Sequence, residues 1–258
     1  MERVTLTFEG NVAVLKFNHP EVMNAVGQQM AAELLQAVLQ VRNSGARCLL
    51  ITGEGRGFCA GANLQDEARG ERQGGAGDML RRVYHPLLVT LRELEIPIVT
   101  AVNGAAAGVG MSFAIIGDIV CASKQAFFLQ AFSRIGLVPD GGSTWMLPRL
   151  VGWGRAVELS LLAERLPAEQ AHQWGLVNRL YDDNEALMAG AMGIARQLAN
   201  GPKALGMIRR LYWDTWQNAF EQQLDLEAQM QNRAGATADH QEGVKAFLEK
   251  REAKFTGA

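Results

Sequence analysis

Two glycine-rich segments, each directly after a short apolar run, most limit the folds open to this chain. The first covers residues 53–61 and follows the run 48–52, and the second covers residues 103–110 and follows 97–102. Short apolar runs of this kind are typical of strands that are buried on both faces of a parallel sheet. Glycines after such a strand allow tight turns and can leave backbone N–H groups without partners. The pattern predicts two strand ends that present backbone donors.

Strand and helix patterns alternate along most of the chain and then give way to helical patterns alone. Alternation over residues 4–17 predicts a hairpin with its turn at 9–11, and apolar runs predict strands over 48–52, 97–102, 119–122 and 127–132. Helical spacing predicts helices over 27–41, 78–95 and 108–117, and later over 155–163, 167–174, 184–200 and 202–254 with breaks. This order indicates an α/β core with a helical tail, and the polar segment 63–78 is predicted to be mobile.

Composition excludes several classes of protein. With 258 residues, 48% of them hydrophobic, and a net charge of −2, the chain is not expected to be disordered or to bind nucleic acid. It lacks the run of about 20 apolar residues that crosses a membrane, and its first residues do not resemble a signal peptide. The three cysteines form no CxxC pair and the four histidines no HExxH motif, which predicts reduced thiols and no metal site. A cytoplasmic protein is expected.

Glycines after a strand suit several arrangements besides plain tight corners. A dinucleotide site needs a further strand that ends in an acid about 20 residues later, but residues 65–70 are polar. Ser112, Asp140 and His172 follow the chain order of a serine hydrolase, but residues 105–110 lead into a predicted helix where the nucleophile elbow requires a strand. Another alternative pairs the two segments, so that two backbone amides bind one developing oxyanion.

Five motifs in order resemble the crotonase (enoyl-CoA hydratase/isomerase) superfamily over nearly the whole chain. They comprise residues 18–25, 57–64, 97–118, 135–149 and 174–177. The resemblance implies a ClpP-like α/β spiral of ββα turns, with the CoA and acyl site in residues 1–195 and a helical oligomerisation region in residues 196–258. It also implies an acyl-CoA substrate, a homotrimer or hexamer, and no cofactor apart from the coenzyme A of the substrate.

The resemblance also assigns binding roles to individual positions. The thioester oxygen would be held by the backbone amides of Ala62 and Val109, and Val109 lies at a predicted helix N-terminus whose dipole adds to the effect. Basic residues near the C-terminus would reach the CoA phosphates, with Lys250 first and Arg251 or Lys254 as alternatives. The positions implied for CoA binding are Val22, Met23, Ala60, Leu64 and Lys250.

Two departures from the superfamily pattern decide which reaction is expected. Hydratases of the superfamily use two glutamates, and the corresponding positions here hold Ser112 and Phe132. Since hydration needs one group for water and another for the α-carbon proton, efficient hydration is not expected. Several isomerases of the superfamily instead place a carboxylate where this chain has Asp140, and one carboxylate suffices for an allylic proton shift. Apolar walls are expected to raise the pKa of Asp140, and they would be formed by Phe113, Phe132 and Trp145.

The segment 130–140 most resembles the branch that isomerises ring-epoxidised phenylacetyl-CoA and also shifts double bonds. An acyl-CoA isomerase is therefore the preferred function, with an enoyl-CoA hydratase as the alternative. Aromatic acyl-CoA dehalogenases of the superfamily carry a histidine where this chain has His85, which makes a dehalogenase a further alternative. The other interpretation of His85 is a histidine that is simply packed on its helix. On the resemblance, His85 is assigned to the acyl pocket. A non-catalytic CoA-binding or RNA-binding homologue is the remaining alternative.

Overall fold

Ten strands form two sheets in a computed structural model of the protein, which describes residues 1–64 and 75–258. The larger sheet has the order β1-β2-β3-β5-β7-β10 and the smaller the order β4-β6-β8-β9. Neighbouring strands are parallel except for the pairs β1–β2 and β8–β9. The strands are β1 (Val4–Glu9), β2 (Val12–Phe17), β3 (Cys48–Gly53), β4 (Gly57–Cys59), β5 (Ile98–Val102), β6 (Ala105–Ala107), β7 (Ile119–Ser123), β8 (Phe127–Leu129), β9 (Leu166–Pro167) and β10 (Arg179–Tyr181).

Each turn of the chain places one strand in the larger sheet and the next in the smaller sheet. The pairs are β3 with β4, β5 with β6, and β7 with β8, and the members of consecutive pairs are neighbours within each sheet. The chain therefore advances by one strand per turn, which confirms the predicted spiral of ββα turns. The hairpin turn is also confirmed, since Gly10 has a φ of +59° between β1 and β2.

Eleven helices are described, and one predicted helix is interrupted. The helix predicted over 78–95 is replaced by α2 and α3, which span residues 76–93 and are joined by a π-helical turn over Leu80–Tyr84. Pro86 explains the interruption, because it has no N–H to donate to the carbonyl of Arg82. The helices are α1 (Gln28–Asn43), α2 (Ala76–Met79), α3 (His85–Glu93), α4 (Val109–Ile115), α5 (Ser143–Val151), α6 (Trp153–Leu162), α7 (Ala168–Gln173), α8 (Asn184–Ala199), α9 (Ala204–Thr215), α10 (Phe220–Gly235) and α11 (Ala238–Glu249).

Both faces of the larger sheet are buried, as the apolar runs predict. In β3, Leu49 and Ile51 point into the main core, whereas Cys48 and Leu50 point into a second core that is covered by α8. The three cysteines are free and buried, and burial raises the pKa of Cys48 to about 12. The boundary predicted at residue 195 falls inside α8, and the division into two regions stays a prediction.

Two other sequence predictions differ from the structure or fall outside it. The strand predicted over 127–132 ends at Leu129, and Phe132 begins a 3₁₀ turn that runs to Ile135. The segment predicted to be mobile, residues 63–78, lies largely outside the described residues. None of the described helices combines the length and the apolar character that a membrane span requires.

Arg209 joins the C-terminal helices to the core. This α9 side chain is only 3% exposed, and its Nε atom lies 2.7 Å from Oδ2 of Asp118. Its other guanidinium nitrogens donate to the carbonyl groups of Leu91 and Leu94, at 3.1 and 2.8 Å. Burial raises the pKa of Asp118, and the adjacent guanidinium only partly offsets this effect, so the charged carboxylate depends on Arg209. The helical pattern of 202–254 gave no signal for this contact.

We predict that Arg209→Met lowers the free energy of unfolding by about 3 kcal/mol, because Asp118 loses its charge partner and the carbonyl groups of Leu91 and Leu94 lose their buried donor. Urea denaturation measures the change. Arg210→Met is the matched control, since Arg210 is exposed and pairs with Asp214 at 3.2 Å, and its loss should cost less than about 1 kcal/mol. Equal effects of the two variants would contradict the role of Arg209.

Candidate active site

The two glycine-rich segments lie side by side, because they form the neighbouring strands β4 and β6 of the smaller sheet. These strands are parallel, with Gly57 opposite Ala105. A Cβ atom on Gly61 would lie 2.9 Å from the carbonyl oxygen of Ala107, and Gly61 has a φ of +104°. Only glycine permits both this approach and this conformation. The two segments are therefore in direct backbone contact.

Two buried asparagines hold the loop that leads into β4. The side-chain amide nitrogen of Asn24 donates to the carbonyl oxygens of Gly57 and Glu54, at 2.8 and 2.9 Å. The side-chain amide nitrogen of Asn103 donates to the carbonyl oxygens of Gly55 and Gly57, at 2.9 and 3.4 Å. Both side chains thus meet at one carbonyl group, which fixes the start of β4. Asn24 and Asn103 lie within two of the five sequence motifs, but the motifs gave no sign of these hydrogen bonds.

The amide of Ala62 faces away from its neighbouring strand. Ala62 pairs with Val26 in a parallel bridge, and the two hydrogen bonds of this bridge use the carbonyl of Gly61 and the amide of Asn63, at 2.7 and 3.0 Å. Since the residues on either side make these bonds, the N–H of Ala62 points to the opposite side. Within residues 1–64 and 75–258, the N–H of Ala62 donates to no backbone carbonyl.

The amide of Val109 is also available as a donor. Val109 is the first residue of α4, and the N–H groups of a first helical turn have no intrahelical acceptor. A Cβ atom on the preceding residue, Gly108, would lie 3.8 Å from the Cα atom of Gly61. The segments that carry the two amides are therefore in contact, and the binding of one oxygen by both amides stays a prediction.

The loop that carries Asp140 packs against the same helix. A Cβ atom on Gly141 would lie 2.7 Å from Oγ of Ser112 and 3.0 Å from Cγ2 of Val109, and Gly141 has a φ of +62°. The carbonyl of Asp140 accepts hydrogen bonds from the hydroxyl groups of Ser112 and Ser143, at 3.2 and 2.8 Å. Asp140 is half-buried, and its Oδ1 atom is shielded from solvent. The predicted carboxylate thus lies on a loop that is attached beside Val109.

The two positions that hold glutamates in hydratases carry no acid here. Ser112 is fully buried within α4. Phe132 is 6% exposed, and its Cζ atom lies 3.8 Å from a Cβ atom placed on Gly108. The phenylalanine ring therefore provides an apolar wall next to the N-terminus of α4, and its place at the acyl pocket stays a prediction.

The other side chains predicted at the acyl pocket have different surroundings. The ring of Phe113 packs against Phe17 in the main core, with the centroids 5.7 Å apart. Trp145 stacks on Trp213 of α9 at 5.6 Å, so it joins α5 to the C-terminal helices. His85 is exposed at the start of α3, which contradicts the packed alternative for this residue. These contacts do not test whether the three residues also reach an acyl group.

The residues predicted to bind CoA lie in two parts of the molecule. The amide of Ala60 donates to the carbonyl of Met23 at 2.9 Å, so the segment with Val22 and Met23 adjoins β4. Leu64 is 48% exposed, and Lys250 ends α11 with an exposed side chain. Of the alternative basic residues, Arg251 pairs with Glu242 and Glu249, both at 2.6 Å. CoA contacts by all these residues stay predictions.

The arrangement does not fit the other sites that glycines suggested. The hydroxyl of Ser112 donates to the backbone of Asp140 and not to an imidazole, and Nδ1 of His172 lies 2.8 Å from the carbonyl oxygen of Val177. Ser112, Asp140 and His172 therefore do not form a serine hydrolase triad. Glycines 53–57 lead into β4 and not into the helix that a dinucleotide site requires. In the part of the chain that the structure describes, no three His, Cys, Asp or Glu side chains could together hold a metal ion.

Comparisons with known proteins agree with this geometry. The family described as enoyl-CoA hydratase/isomerase matches residues 7–258. A 1,2-epoxyphenylacetyl-CoA isomerase of Escherichia coli (strain K12) is 45% identical, with 100% of this chain and 99% of that protein covered. A protein named "Probable enoyl-CoA hydratase" from Rhodobacter capsulatus is 42% identical, with 95% of each covered. The crystal structure of an enoyl-CoA hydratase from Polaromonas sp. JS666 superposes with a TM-score of 0.90 at 34% identity, over 98% of this chain and 99% of that one.

We predict that Asn103→Ala lowers the free energy of unfolding by about 2 kcal/mol, because it removes one donor from the carbonyl groups of Gly55 and Gly57 and the acceptor for the amide of Gly53. Asn103→Asp keeps the acceptor for the amide of Gly53 but turns an oxygen towards the carbonyls of Gly55 and Gly57, so it should destabilise at least as much. Denaturant unfolding measures both. Asn43→Ala, at an exposed position, is the control, and a comparable loss there would contradict the role of Asn103.

Proposed function

This chain belongs to the enoyl-CoA hydratase/isomerase family, and we propose that it is an acyl-CoA isomerase that uses Asp140 to move a proton. The observation that carries the proposal is the attachment of the Asp140 loop beside Val109, at Gly141 and Ser112. The two glutamate positions of hydratases are occupied by Ser112 and Phe132. Asp140 is thus the one carboxylate that both the sequence pattern and the loop contacts support for catalysis.

The proposed reaction is an allylic shift in a β,γ-unsaturated acyl-CoA. The carboxylate of Asp140 removes a proton from the α-carbon, and the electron pair moves into the thioester to form a dienolate. The same carboxylic acid returns the proton to the γ-carbon, so the double bond ends between the α- and β-carbons. Atoms and charge balance without oxidation or reduction, and the proposal therefore includes no metal or redox cofactor.

The amides of Ala62 and Val109 would stabilise the dienolate oxygen. Donors that are already oriented towards a developing charge need no reorganisation during the reaction, and removal of one such donor typically costs about 10²–10³-fold in rate. The position of Val109 at the N-terminus of α4 adds the positive end of the helix dipole. Backbone donors also suit a site that the apolar ring of Phe132 shields from water.

We propose that the substrates include aromatic and ring-epoxide acyl-CoA thioesters as well as linear ones. The similarity to a 1,2-epoxyphenylacetyl-CoA isomerase over the full chain supports this choice. Coenzyme A would lie along Ala60, Leu64 and the segment with Val22 and Met23, with Lys250 near its phosphates. The buried free thiols support a reducing, cytoplasmic location as part of the same proposal.

We predict that Asp140→Asn lowers the turnover of β,γ-enoyl-CoA by about 10²–10⁴-fold, the usual contribution of general acid–base catalysis. The variant should keep its fold and its affinity for CoA, because the backbone of residue 140 makes the loop contacts. A panel of β,γ-enoyl, α,β-enoyl and aromatic epoxide acyl-CoAs measures the change for wild type and variant.

The same panel separates the alternatives. Rapid loss of the conjugated absorbance of crotonyl-CoA in wild type would favour a hydratase over an isomerase. Near-normal isomerisation by Asp140→Asn would exclude Asp140 as the acid–base residue. Release of halide from a halobenzoyl-CoA would favour a dehalogenase and would assign a role to His85.

We further propose a homotrimer or hexamer formed through the C-terminal helices. These helices carry large apolar side chains that are strongly exposed in the single chain, and exposed patches of this kind mark interfaces. The side chains are Tyr212 and Phe220, each 72% exposed, Leu248, 74% exposed, and Phe247, 82% exposed.

We predict that Phe247→Asp weakens or abolishes the assembly, because it introduces a charge into the apolar surface. Light scattering coupled to size exclusion gives the mass of wild type and variant. Gln241→Asp, at an exposed polar position of the same helix, is the control and should leave the mass unchanged. A monomeric wild type would refute the proposed assembly.

A further inference from the structure

Ser112 occupies the place of a catalytic glutamate, yet its contacts are with the loop that carries Asp140. Its side chain is fully buried, so it is not a solvent-exposed nucleophile. Its hydroxyl donates to the carbonyl of Asp140 at 3.2 Å. Ser112 lies one helical turn from Val109 in α4. It is therefore the direct link between the helix that starts at Val109 and the residue that bears the carboxylate.

The Asp140 loop also leaves little space around the side chain of Ser112. A Cβ atom on Gly141 would lie 2.7 Å from Oγ and 2.8 Å from Cβ of Ser112, so the loop backbone rests on this side chain. Gly141 also has a φ of +62°, a conformation that favours glycine. Because glycine has no side chain, the loop backbone itself contacts Ser112. A longer carboxylate side chain at residue 112 would have to enter the volume that residues 140–142 now fill.

We propose that Ser112 is a positioning and specificity-determining residue, which holds the Asp140 loop against α4 and keeps a helix-borne carboxylate out of the site. This inference rests on the proposed function. The carbonyl of Asp140 accepts three hydrogen bonds, from the hydroxyl of Ser112 and from the hydroxyl and amide of Ser143, and these fix the peptide from which the carboxylate extends. Ser112 thereby sets the direction of the acid–base group without touching the substrate.

The test measures the turnover number, KM and the exchange of acyl protons with deuterium oxide for Ser112→Ala. We expect turnover and exchange to fall together by about tenfold, because loss of one hydrogen bond lets the carboxylate leave its productive position, while KM changes by less than about twofold. Ser112→Glu should lose isomerisation more completely, since it displaces the loop.

Two controls make the outcome decisive. Ser160→Ala also removes a hydroxyl that donates to a backbone carbonyl, that of Ala156 at 2.8 Å, and it should leave turnover unchanged. If Ser112→Ala does not fold, Ser112→Cys replaces it, because a thiol is close in size and only a weak donor. Equal behaviour of the Ser112 and Ser160 variants would overturn the inference.

Asp140→Asn is assayed in parallel to separate this inference from the proposed function. An active Asp140→Asn enzyme would refute the proposed function and the inference with it. An inactive Asp140→Asn enzyme together with a Ser112→Ala enzyme of normal turnover would refute the inference alone. A raised KM with unchanged turnover for Ser112→Ala would also contradict it, since that result indicates substrate binding and not the direction of the carboxylate.

Discussion

The close parallel approach of β4 and β6 is the constraint on which the candidate site depends. These strands consist of glycine, alanine, phenylalanine and cysteine, and the backbone of Gly61 lies against Ala107 and Gly108 without a side chain between them. The distance between the amides of Ala62 and Val109 is therefore set by main-chain contacts and not by rotamers. Asn24 and Asn103 hold the entry to β4 at a shared carbonyl group, so the spacing is supported from outside the two strands.

Helix α4 connects this pair of amides to the acid–base group. It contributes the amide of Val109 at its first residue and receives the Asp140 loop at Ser112 and at the side chain of Val109. The proposed oxyanion donor at Val109 and the loop that bears the proposed acid–base carboxylate are thus both held by one short buried helix. Relative motion between them would require the helix to move within the main core, where close packing opposes it.

The sequence predicted the features that depend on local pattern and missed those that depend on distant contacts. Buried strands such as β3 and the hairpin at Gly10 follow from apolar runs and turn residues. β4 and β6 were read only as glycine-rich segments, because three residues are too few to show a period. The stacking of Trp145 on Trp213 and the contacts of Arg209 join segments far apart in the chain, so no local pattern could indicate them. The positions of Ala62, Val109 and Asp140 were predicted from the superfamily resemblance, and the structure adds how they are held.

A site whose electrostatic donors are backbone amides has a consequence for how such proteins diverge. Point mutations exchange side chains, and they leave the N–H groups of Ala62 and Val109 in place as long as the strands pair. Substitutions at residues 112, 132 and 140 would therefore change the reacting groups around an unchanged pair of amides. If these amides form the proposed oxyanion site, a new reaction can arise by replacement of one or two side chains while that site is retained.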